Sequence, residues 1–435
     1  MSSNNSMPKA ENVALGRIDL SERKSWLSIA FIWSGVLICV PALMVGGMVG
    51  TGMTIGKAIL SMVLGYSFIL IFMIPLGLNS ADLGLPTVMN ASRSFGIAGS
   101  RIIVSIIIAI SMVGWFGFQA NVCGNSFSQI MGDYFGVDIP VWICSVIWGI
   151  IMLMTAVLGI GMIRYLNMVA VPLLLFGLLY GLYYGLVQMD GGTVLSTYHP
   201  QEEMSILTGM NLTISGFVTG AVTAGDYTRY ARNRKDTVKA CIVGVVPAGV
   251  AVLGIGAILA VIAGTGDLTI VLSNTNLPVI GLLILVFATW TTATSSAYAA
   301  GIAAINVLKL KDNKRAMLTL ILGFVGIGLA AGGIIDHFID FLNFLTNLTP
   351  PVAGVLVAEY FVFCKGKAVN WKPTKGINVV GVISWLCGVV GSILLGDFFV
   401  PSINAIAISF VIYLILRRFV PIKVDAEVEL QDVTN

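Results

Sequence analysis

The sequence predicts an all-α integral membrane protein with about twelve transmembrane helices. Of its 435 residues, 57% are hydrophobic and only 10% are charged, whereas soluble domains average about 25% charged residues. Its mean hydropathy is +0.95. Apolar runs recur along the whole chain, each close to the roughly 20 residues that cross a bilayer. Short loops join them, which leaves no room for a soluble catalytic domain.

The apolar runs place the predicted spans in a definite order. These spans are 26–48, 55–78, 100–129, 139–161, 163–187, 205–225, 238–263, 276–303, 315–335, 338–363, 376–396 and 398–416. Residues 1–25 precede the first span and contain no apolar stretch followed by a cleavage site. We therefore expect a polar N-terminal tail rather than a signal peptide.

The basic residues fall almost entirely on one side of this arrangement. Of the 24 Lys and Arg residues, only Lys57 is predicted on the opposite side. That opposite side carries acidic residues and both histidines: Asp133, Asp138, Asp190, His199, Glu202, Glu203, Asp267, Asp336, His337 and Asp397. Because positive loops stay cytoplasmic, this bias predicts a multi-pass protein of a bacterial inner membrane with both termini in the cytoplasm. Topology accounts for the basic loops, so we expect no nucleic-acid partner.

Several functions are disfavoured by missing motifs. The sequence contains no HExxH, Walker A or GxSxG motif, so we expect neither enzymatic activity nor a bound cofactor. The six cysteines are dispersed without a CxxC pair, which favours apolar packing over a disulfide or metal site. A channel would need rings of charge along a polar pore, and a sensor would need an output domain. A carrier remains.

Two of the predicted spans contain glycine and proline at mid-depth. The first is interrupted at Gly35–Pro41 (GVLICVP) and the sixth at Gly216–Gly225 (GFVTGAVTAG). A helix broken inside a bilayer leaves peptide groups that only protein, water or a ligand can satisfy. Paired breaks in the two halves of a transporter mark its central binding site. These two segments therefore predict where cargo is held.

The eighth span is rich in hydroxyls around Ala288-Thr-Trp-Thr-Thr. Ala288, Thr291 and Thr292 lie on one helical face, and the broken first span offers the carbonyls of Gly35 and Ile38. Together these oxygens could hold a sodium ion without a carboxylate. The alternative is that the hydroxyls bond back to their own helix. Proton coupling also stays open, although the nearest acids, Asp226 and Glu359, lie towards helix ends.

The third span places Trp115 and Gln119 one helical turn apart, with Gly114 and Gly117 predicted to clear space beside the indole. A flat heteroaromatic solute could stack on the indole, while the amide donates to and accepts from its edge. The alternative is an interfacial tryptophan and a glutamine that joins helices.

The sixth span offers the opposite side of such a site. Phe217 could cover the second face of the ring, and Thr219 could bond to its edge. We also expect the amides of Gly216 and Gly220 to be freed by the break. A phenylalanine in a span is otherwise typical of a lipid-facing or core position.

At these residues the chain resembles the nucleobase–cation symporters, the family of cytosine, purine, allantoin and hydantoin permeases. The matching segments occur in order: GGMVGTGM (46–53), SFGIAGSR (94–101), VGWFGFQ (113–119), AGDYTRYARNRKDT (224–237), TWTTATSSAYAAG (289–301) and PPVAGVLVAEYF (350–361). The cytosine permeases are closest in length and loop pattern.

The resemblance implies a fold of two inverted five-helix repeats with helices 1 and 6 broken. The first repeat would span 26–187 and the second 205–363, followed by two peripheral helices at 376–416 and a cytoplasmic tail at 417–435. It also implies alternating access between helices 1, 2, 6 and 7 and helices 3, 4, 8 and 9, with helix 10 as a thin gate.

The resemblance assigns roles to individual residues. Trp115, Gln119 and Phe217 match the solute-binding positions of the family. The sodium ligands correspond to the carbonyls of Gly35, Ile38 and Ala288 and the hydroxyls of Thr291 and Thr292. The chain departs from the cytosine permeases at Ala288 and Ala293, where they carry asparagines, and at Met112, where they carry a glutamine.

The sequence therefore predicts a monomeric secondary transporter in the lipid bilayer that imports a planar nitrogen heterocycle, such as cytosine or a purine, together with sodium. The alternative is a proton-coupled permease for allantoin, a hydantoin or a thiamine-precursor pyrimidine. The loss of solute-facing amides on the eighth span leaves the heterocycle open.

Overall fold

The computed structural model describes residues 16–158, 160–264, 278–396 and 398–421, without side-chain positions for 160–171, 278–284 and 312. Within these ranges the chain is helical, apart from turns, loops and one isolated bridge between Lys24 and Ala231. The expected tails before residue 16 and after residue 421 lie outside the described residues, as do Asp267 and Asp397.

Twelve helical regions occupy the places of the predicted spans. They are α1 (Trp26–Leu37 and Val40–Thr51), α2 (Ile55–Leu83), α3 (Ile97–Phe135), α4 (Val141–Leu158), α5 (Ile160–Gln188), α6 (Ile206–Val222 and Gly225–Thr228), α7 (Arg234–Ala263), α8 (Pro278–Leu308), α9 (Arg315–Ala331), α10 (Phe338–Leu348, Pro350–Val357 and Ala358–Phe363), α11 (Val379–Leu395) and α12 (Pro401–Phe419). Shorter helices lie between them at Leu20–Glu22, Thr87–Ser94, Gly191–Thr197, Asp312–Lys314, Ile334–His337 and Ala368–Asn370.

Length and hydropathy support a membrane-spanning protein. Among the described residues, six helices are long and apolar enough to cross a bilayer, and two bent helix pairs bring the number to eight. Three shorter apolar helices, α6, α9 and α11, correspond to three further predicted spans. Helix α8 corresponds to the remaining predicted span. We call the face at which α1 begins the N-terminal face.

The predicted break in α1 is confirmed. Its two segments meet at a bend of 64°, where Ile38 and Cys39 leave the helical conformation, with ψ angles of 79° and 158°. The Cys39 amide donates to the Leu37 carbonyl at 2.9 Å, so it does not reach the Gly35 carbonyl four residues back. No described backbone amide donates to the Ile38 carbonyl either. Two carbonyls are thereby released at mid-helix.

The break in α6 lies later than expected. The helix continues through Gly216 and Gly220 to Val222, and the interruption is confined to Thr223 and Ala224. The expectation that the amides of Gly216 and Gly220 are free is therefore wrong. Glycine lowers helix propensity but keeps its N–H, and the segment contains no proline to remove a hydrogen bond.

The helices form two groups, as the resemblance implied. In one, α1 packs on α7 while α2 packs on α6 and α7; in the other, α3, α4, α8 and α9 pack on one another. Glycines allow close approach in the first group, because a Cβ at Gly50 would lie 2.6 Å from the Cα of Ala257. Small residues at such crossings let helix backbones touch.

At the N-terminal face, α10 is anchored by a buried ion network around Glu359. The Nε of Arg93 donates to this carboxylate at 2.5 Å, the hydroxyl of Tyr413 donates at 2.9 Å, and Arg417 donates at 3.3 Å. The Glu359 side chain is only 1% exposed. The segment between α2 and α3, the end of α10 and the end of α12 are thereby joined.

Candidate solute and cation site

A cavity of about 480 Å³ lies where the broken part of α1 meets α3, α6 and α8. It is lined by nine of the residues predicted from the sequence: Gly35, Ile38, Trp115, Gln119, Gly216, Phe217, Thr219, Thr291 and Thr292. The tenth, Ala288, does not line the cavity but lies behind it as a buried residue of α8. The structure thus brings the solute and cation candidates to one place.

Trp115 and Phe217 border this cavity from different helices. The described aromatic neighbours of Trp115 are Phe118, Phe338 and Phe341. Those of Phe217 are Trp33, at a centroid distance of 5.9 Å, and Tyr66, at 6.4 Å. Trp115 and Phe217 thus line the same cavity, and no ring contact joins them among the described residues.

Three buried polar atoms at this cavity have no hydrogen-bond partner in the structure. They are Oε1 of Gln119, Oγ1 of Thr219 and the indole Nε1 of Trp33. Burying such an atom without a partner costs about 1–3 kcal/mol, so native structures keep few of them. The three residues that carry these atoms line the same cavity, and the unpartnered groups are one acceptor, one donor and one hydroxyl.

The hydroxyls of α8 converge on one backbone oxygen. Thr291 Oγ1 donates to the Ala288 carbonyl at 2.8 Å, and Thr292 Oγ1 donates to the same oxygen at 3.2 Å. This is the bonding back to the helix that the sequence left open. The two hydroxyls can still act as cation ligands, because a hydroxyl oxygen that donates its proton keeps its lone pairs. Gly35 and Ile38, whose carbonyls the break in α1 releases, line the same cavity.

The chemistry of these groups suits a hard monovalent cation. Carbonyl and hydroxyl oxygens are neutral, hard ligands, and no group of three or more His, Cys, Asp or Glu residues that could hold a metal occurs among the described residues. Of the two acids nearest mid-depth, Glu359 is paired with arginines, and Asp226 accepts a hydrogen bond from the Thr87 amide at 2.9 Å. Neither lines the cavity.

The sequence did not reveal Trp33, although its indole is fully buried against Phe217 and Tyr227. Its position two residues before the Gly35 break is the only local indication. Gly114 and Gly117 also act differently from expectation. A Cβ at Gly114 would overlap the Phe341 ring of α10, whereas Gly117 faces the backbone of α9. Gly114 therefore makes room for another side chain beside the indole, and Gly117 serves packing.

The cavity extends towards the N-terminal face. On that side its lining continues along the first segment of α1 to Phe31, along α6 to Tyr227 and along α8 to Ala299. The Phe31 side chain is 70% exposed. Towards the opposite face, Phe118 stacks on Phe338 of α10 with centroids 4.1 Å apart. Aromatic contacts thus lie towards one face, and the lining of the cavity continues towards the other.

Comparison with known proteins gives a consistent result. A family profile described as "Permease for cytosine/purines, uracil, thiamine, allantoin" matches residues 18–415. The cytosine permease of Escherichia coli K12 is 26% identical over 430 residues, covering 97% of both chains. The hydantoin permease of Microbacterium maritypicum is 24% identical, covering 89% of this chain and 87% of that protein.

Solved structures show the same fold. The inward-facing conformation of the transporter Mhp1 superposes with a TM-score of 0.81 at 21% identity, covering 100% of this chain and 99% of the other. Mhp1 in a closed conformation with bromovinylhydantoin bound, described as a nucleobase-cation-symport-1 family transporter, gives a TM-score of 0.76 at 20% identity and covers 97% and 99%.

Proposed function

Because this chain belongs to the family of permeases for cytosine and purines, uracil, thiamine and allantoin, we propose that it imports a planar nitrogen heterocycle by sodium-coupled symport. The observation that carries this proposal is the shared cavity of Trp115 and Phe217, with unpartnered polar atoms at its wall. An aromatic ring between these two side chains would gain stacking on both faces.

The polar groups favour a solute with both donors and acceptors on its edge. Gln119 Oε1 requires a donor, Trp33 Nε1 requires an acceptor, and Thr219 accepts either. Nucleobases such as cytosine or a purine present this combination, as do the hydantoin-like rings and thiamine-precursor pyrimidines that form the alternative. A ring that lacks these groups would leave the polar atoms of Gln119, Trp33 and Thr219 buried and unpaired. A site of this kind discriminates strongly against such solutes.

Sodium is the proposed coupling ion. It would be held by the carbonyls of Gly35, Ile38 and Ala288 and the hydroxyls of Thr291 and Thr292. Binding there would favour one geometry of the α1 break, and an ion couples to transport only through such a difference in affinity between two states. Proton coupling is less well supported, because Asp226 and Glu359 have partners away from the cavity.

The extension of the cavity lining towards the N-terminal face supports an inward-facing state, in which cargo would leave towards the cytoplasm. In this proposal both termini are cytoplasmic, the protein is a monomer in a bacterial inner membrane, and residues 26–187 and 205–363 form the inverted repeats. Solute binding would then alternate between the two helix groups, with α10 closing the opposite side.

The test is uptake by purified protein in liposomes. Labelled cytosine, adenine, hypoxanthine, allantoin and hydroxymethylpyrimidine would each be supplied with sodium or with choline in its place. We expect uptake of at least one ring that requires sodium and is lost in Trp115→Ala. Uptake that persists in choline and disappears with a protonophore would refute sodium coupling and leave the proton-coupled alternative.

A further inference from the structure

A second polar cavity lies at the N-terminal face, outside the cargo site. The segment 16–24, which we call the strap, crosses from the end of α2 to the start of α7. The Ile18 amide donates to the Gly84 carbonyl at 2.9 Å, and the Lys24 amide donates to the Tyr230 carbonyl at 2.7 Å. The Ile18 side chain is buried, so the strap is held near both of its ends.

A cavity of about 610 Å³ lies between the strap and the ends of these helices. Most of its lining is polar or charged: Arg17, Ile18, Asp19, Leu20, Arg23, Ala81, Asp82, Arg232, Asn233 and Arg234. Arg234 is neutralised, since its Nε and Nη2 donate to the Asp82 carboxylate at 2.9 and 2.6 Å. In the part of the chain that the structure describes, Arg17 and Arg232 form no ion pair. Three cationic side chains therefore face one remaining carboxylate, that of Asp19.

Arg23 is only partly satisfied. Its Nη1 donates to the carbonyls of Ala81 at 2.6 Å and Ala231 at 3.0 Å, but its Nε is buried and has no partner. Burial and the nearby charge of Arg17 lower the pKa of Arg23. Arginines held together in this way, with a donor left unpartnered beside a cavity, are stabilised when an anion enters between them.

We propose that this cavity binds a phosphate group. Guanidinium forks match phosphate oxygens in geometry as well as charge, and Arg17, Arg23 and Arg232 offer donors from the strap and from the loop before α7. The same chemistry is presented by a free phosphate-containing solute and by the headgroup of an anionic lipid. The Leu20 side chain beside the cavity is 79% exposed, which would suit a headgroup whose acyl chains lie next to the protein.

A phosphate bridging Arg17 and Arg232 would tie the strap to the start of α7. The strap ends two residues before Trp26, where α1 begins. Occupancy would therefore stabilise the position of the first segment of α1, which also lines the cargo cavity. The proposal is independent of which solute or ion the central site takes.

The test uses full-length protein in detergent, with thermal unfolding followed by tryptophan fluorescence. Sodium phosphate is compared with sodium chloride at equal sodium concentration, with choline chloride added to equalise the ionic strength. The test variant is Arg17→Gln/Arg232→Gln, which removes two charges without touching Arg23. The matched control is Lys314→Gln/Arg418→Gln, which removes two charges from exposed positions elsewhere on the same face.

We expect phosphate to raise the unfolding midpoint of the wild type and the control, and to bind the test variant at least about tenfold more weakly.

A parallel arm compares lipid nanodiscs of phosphatidylcholine with and without phosphatidylglycerol. Stabilisation by phosphatidylglycerol alone, lost in the test variant, would identify a lipid headgroup as the source. The proposal would be overturned if neither probe stabilised the wild type. It would also be overturned if each probe stabilised the test and control variants equally. A single cooperative unfolding transition of the test variant without phosphate, at a midpoint close to that of the control variant, shows that it is folded.

Discussion

The ring of Phe341 meets the indole of Trp115 edge to face, with centroids 5.2 Å apart and an interplanar angle of 81°. This contact joins α10 to the proposed solute-binding face of α3. It exists because residue 114 has no side chain, since a Cβ there would overlap the Phe341 ring. One glycine therefore determines how closely the proposed gate approaches the proposed stacking surface.

Gly114→Ala should separate α10 from α3. Overpacking of this kind costs about 1–3 kcal/mol, and we expect lower thermal stability together with weaker solute binding. Phe341→Ala in the same chain should restore most of the stability, because it removes the overlapping ring. Gly328→Ala is the control, since a Cβ there meets no atom within 4 Å. A loss that the second substitution does not reverse would contradict this account.

Trp115→Ala should abolish stacking. Base-on-aromatic stacking contributes about 1–3 kcal/mol per base, so we expect solute affinity to fall roughly ten- to a hundredfold, with Trp115→Phe intermediate. Trp142→Ala removes an indole that is 56% exposed on α4 and should leave affinity unchanged. Equilibrium binding of labelled solute measures all three. Equal affinities in Trp115→Ala and Trp142→Ala would exclude the stacking role.

Gln119→Leu tests the unpartnered amide oxygen. Because Oε1 of Gln119 has no partner in the present structure, we expect the solute-free protein to be as stable as the wild type or slightly more stable. Solute affinity should fall about tenfold, since one hydrogen bond to the ring is lost. Thermal unfolding with and without solute separates the two effects. Reduced stability with unchanged affinity would show that the amide is structural.

Thr291→Val and Thr292→Val should each weaken sodium binding. Each substitution removes one ligand oxygen while preserving side-chain shape, so the sodium concentration for half-maximal uptake should rise by about tenfold or more. Thr294→Val is the matched control, because its hydroxyl donates to the Trp290 carbonyl at 2.7 Å and does not line the cavity. A shift of the same size in Thr294→Val would place the ion elsewhere.

Glu359→Gln should be strongly destabilising, because it leaves the buried charges of Arg93 and Arg417 without a counterion. Breaking a buried pair typically costs about 3–5 kcal/mol. Lys57→Gln breaks the pair with Glu203, whose side chains are 48% and 56% exposed, and should cost no more than about 1 kcal/mol. Unfolding midpoints in detergent compare the two. Similar midpoints for both variants would refute an anchoring role for Glu359.

The sequence predicted the spans and the break in α1 because both follow from local chemistry. Bilayer thickness sets the length of apolar runs, and Pro41 lacks the amide that would continue α1 across the break. The break in α6 was located less well. Its glycines suggested unwinding around Gly216, yet a glycine within an apolar helix keeps its hydrogen bonds when neighbouring helices pack against it. Gly216 does lie close to Val45 of α1.

Contacts between distant segments could not be predicted from one sequence. Glu359 was recognised as an acid near a helix end, but its partner Arg93 lies 266 positions away. Trp33 was missed for a related reason. Its unpartnered indole nitrogen becomes apparent only when α6 and α7 are packed around it.

The division of α10 has a consequence for the energy of opening. Pro350 and Pro351 carry no N–H, so the carbonyls of Thr346 and Asn347 lack the amides that would normally bond to them four residues later. The part beyond the prolines is held by Glu359, whereas Phe338–Leu348 can tilt about Thr349 without disturbing that anchor. Such a tilt would break the three ring contacts of Phe338 and Phe341, each worth about 0.5–1.5 kcal/mol. It would also break the hydrogen bonds that join Thr346 to Ser215, Asn347 to Ser392 and the Leu348 carbonyl to Trp385. Opening this end of the site therefore costs several kcal/mol, which is of the same order as the roughly 8 kcal/mol that micromolar solute binding would release.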